Sequence, residues 1–533
     1  MHWPKSFVLV AGICLFAPCA PVHAQSENPA EPPERRTSQP ATEEEVAQLR
    51  QEVAELKALI LRMVPSNSGM APGQARLVQA SAVTNSAQPD ADALPALVTA
   101  SAVNDLQREV ADLQKKNSET PTAGWNDEHF FLRSSDGNFT LMPLGYLQAQ
   151  YNVYKGDGAP PDTFIMRRAR FGVQGNYGQQ LDYAFSLESG STLTIRDMYL
   201  DFKPSQYFNI MGGQYRVPFS QEVLQNETAF EFVDLSINSL LYPNASGAYR
   251  TPGVDVHGEL GGGHVQYWAG IFNGQGVVQT GTTNEPEIIG KVRLYPFKQS
   301  TNRWLRGFVI GGSTEHSRSK ALANELSFNG LLPDSSYTFF PQFRINGGIQ
   351  RYNGFFSWVK GRWGVRGEYT QILEKRTGIG SFVTGGVGFN SLPGVVGKGA
   401  YGMATYLLTG ETEPENGMPR IRHPVVGPSS PGEEGGGPGW GAWQLKFRYS
   451  WLEGRAPGSV CDATTVPACP LTPSVVPAFS DHTSQITAGL NWYLNYWVLA
   501  KTDLNIDQLK NPSVQGILPR NYFVFAEGLQ FRF

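Results

Sequence analysis

From about residue 126 to the end of the chain, apolar and polar positions alternate in short runs. The last run is the clearest. In 521–533, Phe523, Phe525, Leu529, Phe531 and Phe533 fall on one face, and Tyr522, Val524, Ala526, Gly528, Gln530 and Arg532 on the other. A period of two is the mark of a strand whose faces meet different surroundings. Rings on one side and Gly, Gln and Arg on the other suit a wall between lipid and water. The pattern recurs. In 441–452, Trp443, Leu445, Phe447, Tyr449 and Trp451 oppose Gln444, Lys446, Arg448 and Ser450. In 362–374, Trp363, Val365 and Tyr369 oppose Arg362, Arg366 and Glu368; in 287–296, Val292 and Leu294 oppose Lys291, Arg293 and Tyr295. Charges facing hydrocarbon are expensive, so these should point inward.

Sixteen such runs read as strands: 138–151, 163–175, 181–189, 194–203, 207–216, 251–260, 264–272, 287–296, 304–314, 347–359, 362–374, 399–409, 441–452, 483–493, 495–506 and 520–533. Tight turns are expected at Gly175-Asn176, Lys203-Pro204, Gly261-Gly262, Lys360-Gly361 and Leu494-Asn495. Long connections are expected at 217–250, 315–346, 375–398, 410–440 and 453–482, all read as lying outside the cell. The fold class is therefore all-β, a 16-stranded antiparallel transmembrane β-barrel preceded by a short coiled-coil helix. The even count puts both termini on the periplasmic side. The alternative, a soluble sandwich with solvated polar faces, accounts less well for the strand number and the export signal.

The N-terminal part has another rhythm. Lys5, the apolar run 7–17 and Val22-His23-Ala24 before Gln25 read as a signal peptide over 1–24. Residues 25–125 form a periplasmic segment. Within it, Val46, Leu49, Val53, Leu56, Ile60 and Met63 make a heptad over 43–63, opened by a capping box at Thr42 and Glu45 and closed by Pro65. Alone, these core residues favour a dimer; an attached domain could impose a trimer, and a single amphipathic helix is the plainer alternative. A linker over 66–100 leads to a weaker heptad patch, Val103, Leu106, Val110 and Leu113, in 103–113. The barrel domain takes 126–533.

Composition supports a barrel. Glycine is 58 of 533 residues, aromatics 12%, charged residues 17% and mean hydropathy −0.28, with no run long enough for a membrane helix. The net charge of −4 points to no nucleic-acid partner. Cys14 and Cys19 leave with the signal peptide. Cys461 and Cys469 read as one loop disulfide in an exported chain, with two free thiols as the alternative. The histidines are scattered and no nucleophile motif accompanies them, so neither an enzyme nor a cofactor is expected.

Several segments, in this order, resemble the phosphate-selective porin family of the Gram-negative outer membrane, the porin O and P type: 167–173 (RRARFGV), 196–200 (RDMYL), 213–219 (GQYRVPF), 408–411 (LTGE), 441–450 (GAWQLKFRYS) and 489–495 (GLNWYLN). The resemblance implies a homotrimer whose channels are narrowed by inward-folded loops. It also implies a ladder of arginines, with a lysine at the constriction, that passes anions. The matching candidates for lining the channel and binding anions are Arg168, Arg170, Arg216, Arg293, Arg366, Lys446 and Arg448. Arg167 has the opposite parity and belongs at a rim or a bulge. The segment 217–250 matches the family's constriction loop but holds Glu222, Glu227, Glu231, Asp234 and Arg250, and no lysine. Asp197, Asp201, Glu368 and Asp503 should also face the lumen.

The expected function is passive diffusion of small hydrophilic solutes with a tilt toward anions such as phosphate. A general or sugar-permeable porin, and an envelope-tethering protein acting through the coil, are the alternatives. Expected partners are outer-membrane lipids and lipopolysaccharide, the barrel-assembly machinery through Phe533, small anionic solutes and, for the coil, the cell wall.

Overall fold

The computed structural model describes Arg108 and residues 120–533, apart from 127–128, 157–158, 190–192, 246–247, 275, 279–283, 320–326, 379–381, 385–386, 390, 431–432, 434–436, 458–478 and 511–520. The signal peptide, both heptad patches and Cys461 with Cys469 lie outside the described residues.

Sixteen strands close into a barrel: β1 (Phe139–Lys155), β2 (Thr163–Tyr177), β3 (Leu181–Ser189), β4 (Leu193–Phe202), β5 (Asn209–Arg216), β6 (Arg250–Leu260), β7 (Val265–Phe272), β8 (Glu287–Leu294), β9 (Phe308–Ser319), β10 (Gly347–Lys360), β11 (Trp363–Arg376), β12 (Leu392–Leu407), β13 (Ala442–Ala456), β14 (Phe479–Tyr493), β15 (Val498–Lys510) and β16 (Asn521–Arg532). Each pairs antiparallel with the next. β16 returns to β1 from Phe523↔Lys155 to Arg532↔Tyr146, so no edge is left open. Each of the sixteen runs found by alternation became one strand. On β13, Leu445, Phe447 and Tyr449 are exposed to the outside while Gln444, Lys446, Arg448 and Ser450 are buried within. An acidic residue breaks the outward apolar rule midway along β16: Glu527 shares the face of Phe525 and Leu529 and accepts a hydrogen bond from Thr502 Oγ1 at 3.0 Å.

Several expectations are corrected. Gly175 and Asn176 stay in β2; the turn falls at Gly178, whose φ of +60° takes the left-handed region, and Asn176 Nδ2 donates to its carbonyl at 2.6 Å. The segment read as 410–440 does not join the long loops at their end. It connects β12 to β13, and because an even number of strands precedes it, it lies at the end of the tight turns. β12 starts at Leu392, seven residues before the expected 399, and β1 and β13 run four residues further toward the loop end than read. There the ladder outlasts the apolar alternation, because main-chain pairing needs no lipid. A short hairpin, Thr122–Asn126 with His129–Arg133, precedes the barrel and adds to β1 at Leu132↔Leu141.

Among the described residues, three connections enter the barrel. The 217–249 segment and residues 327–345 come from the loop end and share one apolar cluster, in which Ile237, Leu241, Phe328, Phe339, Phe340 and Phe343 pack on Ile372, Val395 and Leu452 of the wall. Gly397 and Gly399 of β12 make room for it. A Cβ on Gly399 would stand 2.6 Å from Asn238 Oδ1, and one on Gly397 2.6 Å from Leu241 Cδ2. The 408–441 segment enters from the turn end and buries Met418 and Ile421 against Leu407, Ala442 and Tyr493.

Candidate functional site: a lumen crossed by a clamped loop

The 217–249 segment opens with a capped turn. Ser220 Oγ accepts from the amides of Glu222 (3.0 Å) and Val223 (3.3 Å) at the start of a short helix, Gln221–Leu224. The same hydroxyl donates to Glu368 of β11 at 2.9 Å. Glu368 also accepts from the Glu222 amide (2.6 Å) and from Tyr242 Oη (3.0 Å). One wall carboxylate thus collects donors from both ends of the loop.

Glu227 is the centre of the first half. Arg170 of β2 lies 2.5 Å from it, Arg250 of β6 3.3 Å, and Arg216 of β5 also pairs with it. Tyr146 Oη donates to the same carboxylate. Burial pushes Glu227 up, but Arg216, Arg250 and Arg170 outweigh it and hold it well below the usual carboxylate range. The arginines are shared further: Arg250 and Arg170 reach Asp197 at 2.8 and 3.5 Å, and Arg170 and Arg196 reach Glu188 at 2.6 and 2.7 Å.

The second half is held by its main chain. Lys446 donates to Glu231 O at 2.8 Å, Lys501 to Phe230 O, and Arg448 to Asp234 O (3.1 Å) and Leu235 O (3.3 Å). Val233 N donates to Asp503 at 2.7 Å. Phe232 lies under this row, its ring centroid 4.3 Å from the Arg448 guanidinium and 5.1 Å from Lys446 Nζ. At the loop's start, too, a wall cation holds main chain: Lys291 of β8 donates to Phe219 O (3.1 Å) and Ser220 O (3.2 Å).

All seven predicted cations sit on the inward side, and their partners are now explicit. Arg170 and Arg216 meet at Glu227. Arg366 pairs with Glu231 and lies 3.7 Å from Glu413. Arg293 pairs with Glu415, Lys446 with Asp503 at 2.6 Å, and Arg448 with Glu222 at 3.6 Å. Arg168 differs: it donates to Gln148 Oε1 at 2.9 Å, and among the described residues no carboxylate lies within ion-pair distance of it. Arg167 fills a bulge, since Gln148 pairs with Arg168 and Ala149 with Met166, and it reaches Asp234 at 3.3 Å. Asp197, Asp201, Glu368 and Asp503 are on the lumen side. Sequence reasoning turned Lys291 inward but left it, with Arg250 and Lys501, out of the channel-lining candidates. Lys291 and Lys501 share parity with Arg293 and Asp503, so the alternation carried their signal; Arg250 was counted with the loop.

The turn-end segment completes the constriction. Glu413 accepts from Thr405 Oγ1 (2.9 Å) and Gln444 Nε2 (2.7 Å), Arg366 donates to Pro414 O (3.0 Å), and Asn416 accepts from the Asn226 amide (3.3 Å). The two inward segments touch. Burial pushes Glu222 up to about 7 against the pull of Arg448, and Glu413 up to about 7 against that of Arg366. A cavity of about 670 Å³ opens at the loop end and one of about 260 Å³ at the turn end. Tyr242, which lines the first, belongs to an apolar cluster with Tyr215, Val217, Phe219 and Phe272.

A closed barrel with ringed exterior, charged interior and inward-folded loops defines an outer-membrane porin. The chain belongs to the phosphate-selective porin O and P family, whose model matches residues 144–506, more than half of its length. Among curated protein sequences none matches it. Similar solved structures include a trimer form of OmpT, an outer membrane protein of Vibrio cholerae (11% identity, 74% of this chain and 100% of that one, TM-score 0.45). Others are the outer membrane channel DcaP of Acinetobacter baumannii (12%, 75% and 99%, 0.44) and an anion-selective porin from Comamonas acidovorans (12%, 74% and 99%, 0.43). Likenesses of this strength carry no functional weight. Family and fold point to a channel.

Proposed function

We propose that this porin passes small hydrophilic solutes by passive diffusion with a modest preference for compact anions. The observation that carries the reading is Arg168, an inward guanidinium beside the constriction with an amide oxygen rather than a carboxylate as its partner. Guanidinium groups stay charged and offer a fork of donors, and a solute must be held weakly enough to leave. The loop end then faces outside the cell. The test is the reversal potential in a salt gradient, repeated with phosphate as blocker. An anion-selective current reduced by phosphate is expected; a cation-selective current untouched by phosphate overturns the reading.

A general porin is the second reading, favoured by the carboxylate partners of Arg170, Arg216, Arg293, Arg366, Lys446 and Arg448. A paired cation attracts a passing anion weakly. We also propose a homotrimer. Outward Glu527 supports it, because a carboxylate midway along a lipid-facing strand is costly and a protein neighbour can shield it. Glu527→Leu should then weaken the trimer band on mild electrophoresis rather than strengthen it. The domain division stays 1–24, 25–125 and 126–533, with the coil in the periplasm. Deleting 25–125 should leave conductance unchanged, and any loss of envelope anchoring would assign the coil to tethering.

A further inference from the structure

The larger cavity has two unlike walls. On one side stand Arg167 and Arg168 of β2 and Arg196 of β4; on the other stand Glu287 of β8, Glu315 of β9 and Glu374 of β11. Arg167 is offset by Asp234, and Arg196 by Glu188, so Arg168 is the cation left over on its side. Across the cavity the ratio is reversed. Three carboxylates, each no more than 3% exposed, line that side, and among the described residues Arg351 pairs with Glu315 and stands 3.9 Å from Glu374, while Ser317 Oγ donates to Glu315 at 2.6 Å. Glu287 accepts from Asn244 Nδ2 at 3.0 Å. Glu374 is 2% exposed, and among the described residues its Oε2 has no hydrogen-bond partner. A buried acceptor in that state is costly unless something donates to it.

Neither a simple anion nor a simple cation satisfies both walls. A molecule carrying both a carboxylate and an ammonium group gains from each: the guanidinium fork donates to the carboxylate, and the glutamate row accepts N–H donors from the ammonium group. We propose that the loop-end cavity is a binding site for small zwitterions of the amino-acid or short-peptide type, held on their way to the constriction. This rests on the lumen being the solute path. At about 670 Å³ the cavity exceeds such a molecule several times over, so it would concentrate the solute without trapping it.

The test uses the full mature chain in planar bilayers, with three probes added on the loop side: glycylglycine, its N-acetyl derivative (anion only) and its methyl ester (cation only). Current interruptions by glycylglycine should last about fivefold longer than those by either relative, the weight of one weak ion pair. Glu374→Gln should shorten the events of glycylglycine and of the ester and spare those of the acetylated anion. Arg168→Gln should shorten those of glycylglycine and of the anion and spare those of the ester. Equal residence of all three probes in the unaltered chain overturns the proposal, as does a Glu374→Gln effect that ignores the probe's charge. The comparison on the unaltered chain decides alone if a variant fails to assemble. Reversal potentials in plain salt judge the anion preference separately, so zwitterion binding without that preference would leave this inference standing and remove the other.

Discussion

The two halves of the constriction loop are fastened to the same barrel by different chemistry. Around Glu227 the loop contributes a side chain, and three wall arginines converge on it. From Phe230 to Leu235 the loop contributes carbonyl oxygens, and Lys446, Lys501 and Arg448 donate to them. The first attachment depends on one loop residue and is sensitive to its charge. The second tolerates substitution at Val233 or Leu235, because every residue has a carbonyl, and is sensitive chiefly in the wall and at Glu231 and Asp234, whose side chains pair with Arg366 and Arg167. An inward cation therefore has two competing tasks, to hold the loop and to face the solute, and most of the ladder performs the first.

The largest expected effect comes from Glu227→Gln. It leaves three buried guanidiniums with less compensation and loosens the first half of the loop. A unit charge about 8 Å from a permeating ion is worth about 2 kcal/mol at an effective dielectric constant of about 20. Salt screening should reduce this to about a tenfold rise in the anion-to-cation permeability ratio, read from reversal potentials. An unchanged ratio would mean that Glu227 does not govern the charge the solute meets.

The carbonyl-held half is tested from the wall. Lys446→Met removes a buried partner from Asp503 and a donor from Glu231 O. The ratio should move toward cations by about fivefold, with added current noise as residues 230–235 unseat. If substitutions of Val233 or Leu235 that keep the backbone produced the same noise, the contrast between side-chain and main-chain attachment would fail.

How much of this was legible in the sequence divides along the same line. Alternation marks which face a side chain occupies, so all sixteen strands and the inward direction of Arg168, Arg366 and Arg448 were readable. Partners across the lumen were not, because the Arg216–Glu227 and Lys446–Asp503 pairs depend on register and on where a loop comes to rest. The 408–441 segment shows a different gap. Its length resembles that of an outer loop, and only the parity of the strands before it assigns it to the turn end. Glu527 has the parity of a lipid-facing residue and the chemistry of a lumen-facing one, so the pattern gave it no consistent place.

Packing gives a third, smaller lever on the comparison. Gly399→Val would press a side chain into Asn238 at the end of the carbonyl-held half. Overpacking of this kind costs about 1–3 kcal/mol. It should displace the 3-10 turn Ile237–Leu241 and raise single-channel conductance, while leaving the Glu227 cluster, and so the permeability ratio, nearly unchanged. A change in the ratio without one in conductance would show that the two halves move as one body.

The smallest effect is a pH dependence that separates the carboxylates themselves. Glu227 is held well below the ordinary range, so it stays charged across neutral pH. Glu222 and Glu413 are pushed up to about 7 by burial, so the folded loops favour their neutral forms. That contribution is fully present in acid and is lost as pH rises through about 7. Acidifying from about pH 8 to about pH 6 should therefore remove most of the negative charge of Glu222 and Glu413 and raise the anion-to-cation ratio by about twofold, with the 217–249 and 408–441 segments held more tightly. Glu413→Gln should flatten about half of that dependence, while Glu227→Gln should leave its slope intact. A slope that disappears with Glu227→Gln instead would place the titrating charge in the arginine cluster and reverse the assignment of which half responds to pH.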